Sequence, residues 1–111
     1  LAAGAPAQPW ESLGAALGEA YQVADDIRDL VADAAAIGKP TGQDASHGRP
    51  NAATQWGMAP TVRRFRQLVT RAVDAIPSCR GRAGMQALVR SEGERLVPTR
   101  LCRQLIEEAA A

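Results

Sequence analysis

The sequence has few aromatic residues, few cysteines and almost no net charge. Aromatic residues make up 4% of the 111 positions, and there are no runs of β-branched residues, so the composition disfavours strands. Thirteen basic and 12 acidic residues give a net charge of +1, which excludes the basic footprint of a nucleic-acid-binding protein. No apolar run approaches the roughly 20 residues needed to cross a bilayer. The two cysteines, Cys79 and Cys102, are too few for a disulfide scaffold and favour a reduced, cytoplasmic location.

The sequence is rich in Ala, Leu, Arg, Glu and Gln, residues that favour helices, and this composition predicts an all-α chain. Pro9 suits the first turn of a long helix over residues 9–35. The apolar stripe of this helix recurs at steps of three and four residues: Trp10, Leu13, Leu17, Tyr21, Ala24, Ile27 and Val31. Further helices are expected at residues 60–76, at 82–97 and from 98 onward, with a short helical piece at 51–56.

The sequence also predicts which of several large side chains are buried and which are exposed. Phe65, Met85 and Leu88 are candidates for the core, and Trp10 and Trp56 are expected to be packing anchors. The arginines of the second helix are expected to form a solvated face: Arg63, Arg64, Arg66 and Arg71.

The motif Asp25-Asp26-Ile27-Arg28-Asp29 lies in the last third of the first helix. Asp25 and Asp29 are one turn apart on one face, where like charges repel, and the helix dipole also disfavours anions near this end. A divalent cation would relieve the repulsion, because Mg²⁺ binds one or two carboxylates together with substrate phosphates. The alternative is a solvated acidic face.

A loop rich in glycine and proline is predicted over residues 36–51, directly after this helix. It carries Lys39 within Gly38-Lys39-Pro40-Thr41-Gly42-Gln43-Asp44, and Arg49 within Gly48-Arg49-Pro50. Two cations and exposed backbone N–H groups close to a metal-binding helix suit a diphosphate. His47, the single histidine, lacks partners for a catalytic triad or a zinc site and is expected to be an ordinary loop residue.

The segments Leu17–Asp29, Gly38–Asp44 and Gly48–Pro50 together resemble the second aspartate-rich region of trans-prenyltransferases. Within that family they are most similar to the bacterial geranylgeranyl diphosphate synthases of carotenoid and bacteriochlorophyll pathways. The resemblance implies a helical bundle around a deep cavity, with two aspartate-rich motifs facing each other. Only the second motif is present, so we expect this chain to be the C-terminal part of a prenyltransferase domain, inactive by itself. We also expect its three short later helices to leave the apolar stripe of the first helix largely uncovered.

The resemblance also implies roles for individual residues. Asp25 and Asp29 would hold Mg²⁺ or Mn²⁺, with Asp26 a weaker ligand, and Lys39 and Arg49 would bind the allylic diphosphate. Gln22 would lie beside the reacting carbons, and Tyr21 stands where Phe is frequent. The substrates would be an allylic diphosphate and isopentenyl diphosphate, and the parent enzyme would be a homodimer.

Two alternatives remain at this point. One is a farnesyl or longer-chain polyprenyl diphosphate synthase with the same motifs. The other is a non-catalytic regulatory or interaction subunit that keeps the fold.

Overall fold

The computed structural model describes residues 8–36, 53 and 56–110. It contains four helices: α1 (Gln8–Ala36), α2 (Met58–Ala75), α3 (Arg82–Leu96) and α4 (Thr99–Ala110). The described part of the chain contains no strand, which confirms the all-α prediction. Helix α1 extends one residue beyond the predicted range at each end. Ala53 and Trp56, from the predicted helical piece at 51–56, are both helical.

Helix α2 is the centre of the fold and contacts each of the other three helices. Its apolar side chains recur every three or four residues, and they bury one face of the helix. The larger core cluster joins this face to the other helices through buried residues: Ala20, Val23, Ala24, Ile27, Val62, Phe65, Leu68, Leu96, Val97, Cys102 and Leu105. A second cluster of buried residues lies at the other end of α2: Leu13, Ala16, Ala72 and Ile76.

The two clusters fix the directions of the helices. Along α1 the residue numbers rise from the second cluster to the first, while along α2 they fall, so α1 and α2 are antiparallel. Met85 and Val89, near the start of α3, pack with Leu17 against the second cluster. Helix α3 therefore returns alongside α2 and runs parallel to α1.

Polar contacts fix the turns between the shorter helices. Arg82 Nε donates a hydrogen bond to the carbonyl oxygen of Ile76 at 2.9 Å, which closes the connection between α2 and α3. The Glu94 carboxylate accepts hydrogen bonds from the backbone N–H of Thr99 at 3.0 Å and from its hydroxyl at 2.6 Å. These two bonds lower the pKa of Glu94. They also satisfy an otherwise unpaired N–H in the first turn of α4.

The prediction that Trp10 and Trp56 are packing anchors is wrong. Trp10 is 40% exposed and Trp56 is 62% exposed, and Leu88, expected in the core, is 70% exposed. Leu88 lies on the outer side of α3, whereas its neighbour Val89 packs against the second cluster. Phe65 is 2% exposed and confirms its place in the core.

The apolar stripe of α1 is covered more fully than its length suggested. Helix α2 and its neighbours bury six positions of α1: Leu13, Ala16, Ala20, Val23, Ala24 and Ile27. Three of these belong to the predicted stripe, and two further stripe residues, Leu17 and Val31, are half-buried. The expectation of a largely uncovered stripe is therefore wrong, although Trp10 and Tyr21 are each 40% exposed. The reason is that α2, at 18 residues, runs antiparallel along α1 and reaches both clusters.

Candidate active site

Helix α1 has two faces of opposite character. One face packs on α2 through its buried apolar residues, and at about 100° per residue the other face contains Gln22, Asp25 and Asp29 within about 60° of one another. Gln22 and Asp25 are exposed, and Asp29 is half-buried. The structure therefore places these three residues together on the face of α1 that points away from α2. We call this the acidic face.

Asp26 occupies a different environment from its neighbour Asp25. It is 8% exposed, because it lies about 100° around the helix from Asp25. Asp26, Asp29 and Asp33 each have an interaction partner. The two adjacent aspartates thus differ in access, and only Asp25 is freely accessible from solvent.

The acidic face carries two glycines ahead of Asp25. Gly14 and Gly18 lie on this side of α1, and a Cβ atom built on either would meet nothing within 4 Å. Gly18 precedes Asp25 by about two helical turns and Gly14 by about three, which correspond to roughly 10 and 16 Å along the axis. The acidic face is therefore open at these two positions, whereas the exposed side chains of Tyr21 and Gln22 lie between them and Asp25.

The carboxylates of α1 do not form a complete metal site by themselves. Among residues 8–36, 53 and 56–110, no group of three or more His, Cys, Asp or Glu side chains is arranged to hold a metal ion. The exposed oxygen donors of Asp25, with Asp29 one turn away, nevertheless suit Mg²⁺, which takes one or two protein carboxylates and completes its shell with water and phosphate oxygens. The donor set fits a metal that is shared with a phosphorylated ligand.

The predicted diphosphate-binding residues Lys39 and Arg49 lie outside the described residues, as does His47. Their proximity to Asp25 and Asp29 therefore stays a prediction.

Charge is strongly divided between α1 and the later helices. Residues 8–36 contain six acidic residues and one arginine, whereas residues 56–110 contain ten arginines and five acidic residues. Arg64 joins the two groups by an ion pair, in which it donates to Glu19 Oε2 through Nε at 3.1 Å and through Nη2 at 2.7 Å. Arg64 was expected to be solvated, and this contact shows instead that it is a half-buried link between α2 and α1.

A second polar link borders the acidic face, and sequence analysis missed two of its three members. The Tyr21 hydroxyl donates to Glu92 Oε2 of α3 at 2.6 Å. Arg95 donates to both oxygens of the same carboxylate, from Nε at 2.9 Å and from Nη2 at 2.5 Å. The spacing of Glu92 and Arg95 predicts their ion pair, but no local signal indicates Tyr21, which is 71 positions away.

These bonds fix the protonation states of the link. The hydrogen bonds from Arg95 and then from Tyr21 lower the pKa of Glu92 to about 2, because they favour the charged carboxylate. The same hydrogen bond from its own hydroxyl to Glu92 raises the pKa of Tyr21. Near neutral pH the link therefore consists of a neutral phenol, a carboxylate and a guanidinium.

The described part of the chain is all-α and carries a DDxxD motif on an exposed helix face, and comparison with known proteins identifies its family. The polyprenyl synthetase family model matches residues 1–80. The chain belongs to this family.

Two proteins similar to this chain are geranylgeranyl diphosphate synthases. The synthase of Cereibacter sphaeroides is 45% identical over 105 residues, which cover 95% of this chain and 36% of that protein. The synthase of Rhodobacter capsulatus is 40% identical over 89 residues, which cover 80% of this chain and 31% of that protein. The chain thus spans about a third of the length of these relatives. No solved structure matches it significantly.

None of the described helices combines the length and the apolarity that a membrane-spanning helix requires.

Proposed function

We propose that this chain is part of a geranylgeranyl diphosphate synthase, which condenses an allylic diphosphate head-to-tail with isopentenyl diphosphate. The observation that carries the proposal is the acidic face, where exposed Gln22 and Asp25 lie together with half-buried Asp29 in a chain of the polyprenyl synthetase family. The identity of 45% to the synthase of Cereibacter sphaeroides over nearly the whole chain supports the choice of product.

In this proposal Asp25 and Asp29 hold Mg²⁺, and Asp26 is a weaker ligand or orients the others from its buried position. When bound, the metal supplies positive charge that stabilises the diphosphate as it leaves the allylic carbon. Lys39 and Arg49 bind the oxygens of the same diphosphate through charge-assisted hydrogen bonds. Gln22 presents a polar amide beside the reacting carbons.

Gly14 and Gly18 leave room for a substrate on the acidic face. A prenyl chain that extends from a diphosphate at Asp25 would pass between the exposed side chains of Tyr21 and Gln22 and then run over these two glycines. Apolar chain and charged head would then occupy successive parts of one helix face.

The remaining parts of the proposal rest on chemistry and on the resemblance. The substrates are charged, water-soluble diphosphates, and both Cys79 and Cys102 are free thiols, which supports a cytoplasmic enzyme. We also propose that the full-length protein is a homodimer and that its product supplies carotenoid or bacteriochlorophyll synthesis.

The test is prenyl transfer by the full-length protein with labelled isopentenyl diphosphate and Mg²⁺, with the product identified by chain length. Asp25→Asn and Asp29→Asn are each expected to lower kcat by about 10²-fold or more, the scale of losing one preorganised electrostatic contact at the reacting group. Glu11→Gln is the matched control, because it removes a carboxylate from the same side of α1 about 20 Å away. Its activity should stay within about twofold of that of the unsubstituted protein.

Three results would contradict the proposal. Equal and mild effects of all three substitutions would mean that the acidic face is merely solvated. A C15 product, or one longer than C20, would assign a farnesyl or longer-chain synthase, and absence of turnover in the unsubstituted protein would indicate a non-catalytic subunit.

A further inference from the structure

The link between Tyr21, Glu92 and Arg95 lies directly beside the acidic face. Tyr21 precedes Asp25 by one helical turn, about 6 Å along the axis and about 40° around it, and it is adjacent to Gln22 in sequence. Its hydroxyl reaches across to α3, where Arg95 holds the Glu92 carboxylate by two further hydrogen bonds. The turn of α1 that carries Gln22 and Asp25 is thus attached to α3 at its edge.

The attachment matters for the position of α1, because small side chains make part of the apolar contact of this helix. Three of the residues that α1 buries are alanines, Ala16, Ala20 and Ala24, and their single methyl groups interlock weakly with a neighbouring helix. One turn before Tyr21, Leu17 packs against the second cluster, and so do Met85 and Val89 of α3. At Tyr21 the contact with α3 is a hydrogen bond to a charged carboxylate, which is directional and stronger than a neutral one.

We propose that Tyr21 is a positioning residue of the candidate active site: its hydrogen bond to Glu92 fixes the place of Gln22 and Asp25 relative to α3. Arg95 contributes by holding the carboxylate in the geometry that accepts this bond. The inference rests on the proposed function and deepens it. A phenylalanine at this position has no hydroxyl, so the link depends on the tyrosine that this chain carries.

The test compares Tyr21→Phe, Glu92→Gln and Glu94→Gln in the full-length protein. Tyr21→Phe removes only the donor, and Glu92→Gln removes the charged acceptor. Glu94→Gln is the matched control, because Glu94 is also a hydrogen-bonded carboxylate of α3 but its bonds go to Thr99 at the start of α4. The measurements are kcat, the Mg²⁺ concentration at half-maximal rate, and the thermal midpoint of each variant.

We expect Tyr21→Phe and Glu92→Gln to raise the half-maximal Mg²⁺ concentration or lower kcat by about three- to tenfold. The double variant Tyr21→Phe/Glu92→Gln should lose no more activity than Glu92→Gln alone, because both changes act on the same hydrogen bond. Glu94→Gln should lower the thermal midpoint and leave the Mg²⁺ dependence within about twofold, since its contacts do not reach α1.

The inference is overturned if Tyr21→Phe leaves both kcat and the Mg²⁺ dependence unchanged. It is also overturned if Glu94→Gln changes the Mg²⁺ dependence as much as Glu92→Gln, because the role of Glu92 would then be stability alone. An unsubstituted protein without prenyl transfer would instead refute the proposed function. If the unsubstituted protein is active and sensitive to Asp25→Asn while Tyr21→Phe has no effect, only the positioning role fails.

Discussion

Gly93 marks a close approach of α3 to α2, and replacing it by alanine tests whether the two helices pack as described. Gly93 is buried, and a Cβ atom built on it would lie 3.1 Å from each of the two γ carbons of Val69. That distance is shorter than an ordinary van der Waals contact between carbon atoms. Gly93→Ala therefore requires Val69 or the helix backbone to shift.

Two opposing contributions set the expected change in stability. Placing an extra methyl group in a packed core costs about 1–3 kcal/mol, whereas alanine in a helix interior is favoured over glycine by about 1 kcal/mol. The net expectation for Gly93→Ala is a loss of up to about 2 kcal/mol. Gly84 is the matched control on the same helix, since a Cβ atom there meets nothing within 4 Å. Gly84→Ala should stabilise the protein by about 0.5–1 kcal/mol.

Urea unfolding followed by circular dichroism measures these changes. The double variant Gly93→Ala/Val69→Ala adds a direct test, because removing the γ carbons of Val69 makes room for the new methyl group. In the Val69→Ala background we expect Gly93→Ala to lose its penalty, with a coupling energy of about 1–2 kcal/mol. If Gly93→Ala stabilises the protein as much as Gly84→Ala does, the close approach is wrong. The placement of Glu92, one residue before Gly93, would then also be in doubt.

Two further predictions concern carboxylates near the acidic face. Because Arg95 and Tyr21 lower the pKa of Glu92 to about 2 from its ordinary value near 4.5, Glu92 stabilises the fold fully above that ordinary value and loses this contribution as pH falls toward 2. The difference in thermal midpoint between the unsubstituted protein and Glu92→Gln should therefore shrink between pH 6 and pH 2, and a constant difference would contradict the lowered pKa. Buried Asp26→Asn should destabilise the protein by about 1–3 kcal/mol, whereas exposed Asp25→Asn should destabilise it by less than about 0.5 kcal/mol. Equal thermal midpoints of these two variants would contradict the burial of Asp26.

Much of the helical architecture follows from local sequence periodicity. The three- and four-residue spacing of apolar residues along α1 predicts its length and one apolar face. The buried side is turned from the predicted stripe toward Ala16, Ala20 and Val23, whereas Trp10 and Tyr21 of the stripe are each 40% exposed. The same geometry places Asp25 and Asp29 together, because residues four apart share a helix face. These features depend on neighbours within one helix, so a single sequence is enough to predict them.

Contacts between helices are less predictable, since they depend on which flank of a helix a distant segment covers. Leu88 and Val89 are both apolar and adjacent, yet only Val89 packs against the second cluster. Arg64 pairs with Glu19, 45 positions away, and nothing in the sequence near Arg64 distinguishes it from Arg63. The link from Tyr21 to Glu92 was missed for the same reason.

The electrostatics of α1 connect its packing to its proposed chemistry. Six of its side chains are acidic and one is an arginine, and Asp25 and Asp29, one turn apart, repel each other. The arginines of the later helices do not relieve this at Asp25, with which no described residue forms an ion pair, because α2 packs on the opposite side of α1. A carboxylate that is left accessible and locally unfavourable gains the most from a bound cation. Helix α1 thus obtains its stability on the face toward α2, and the proposed function assigns the charged ligand to the opposite face.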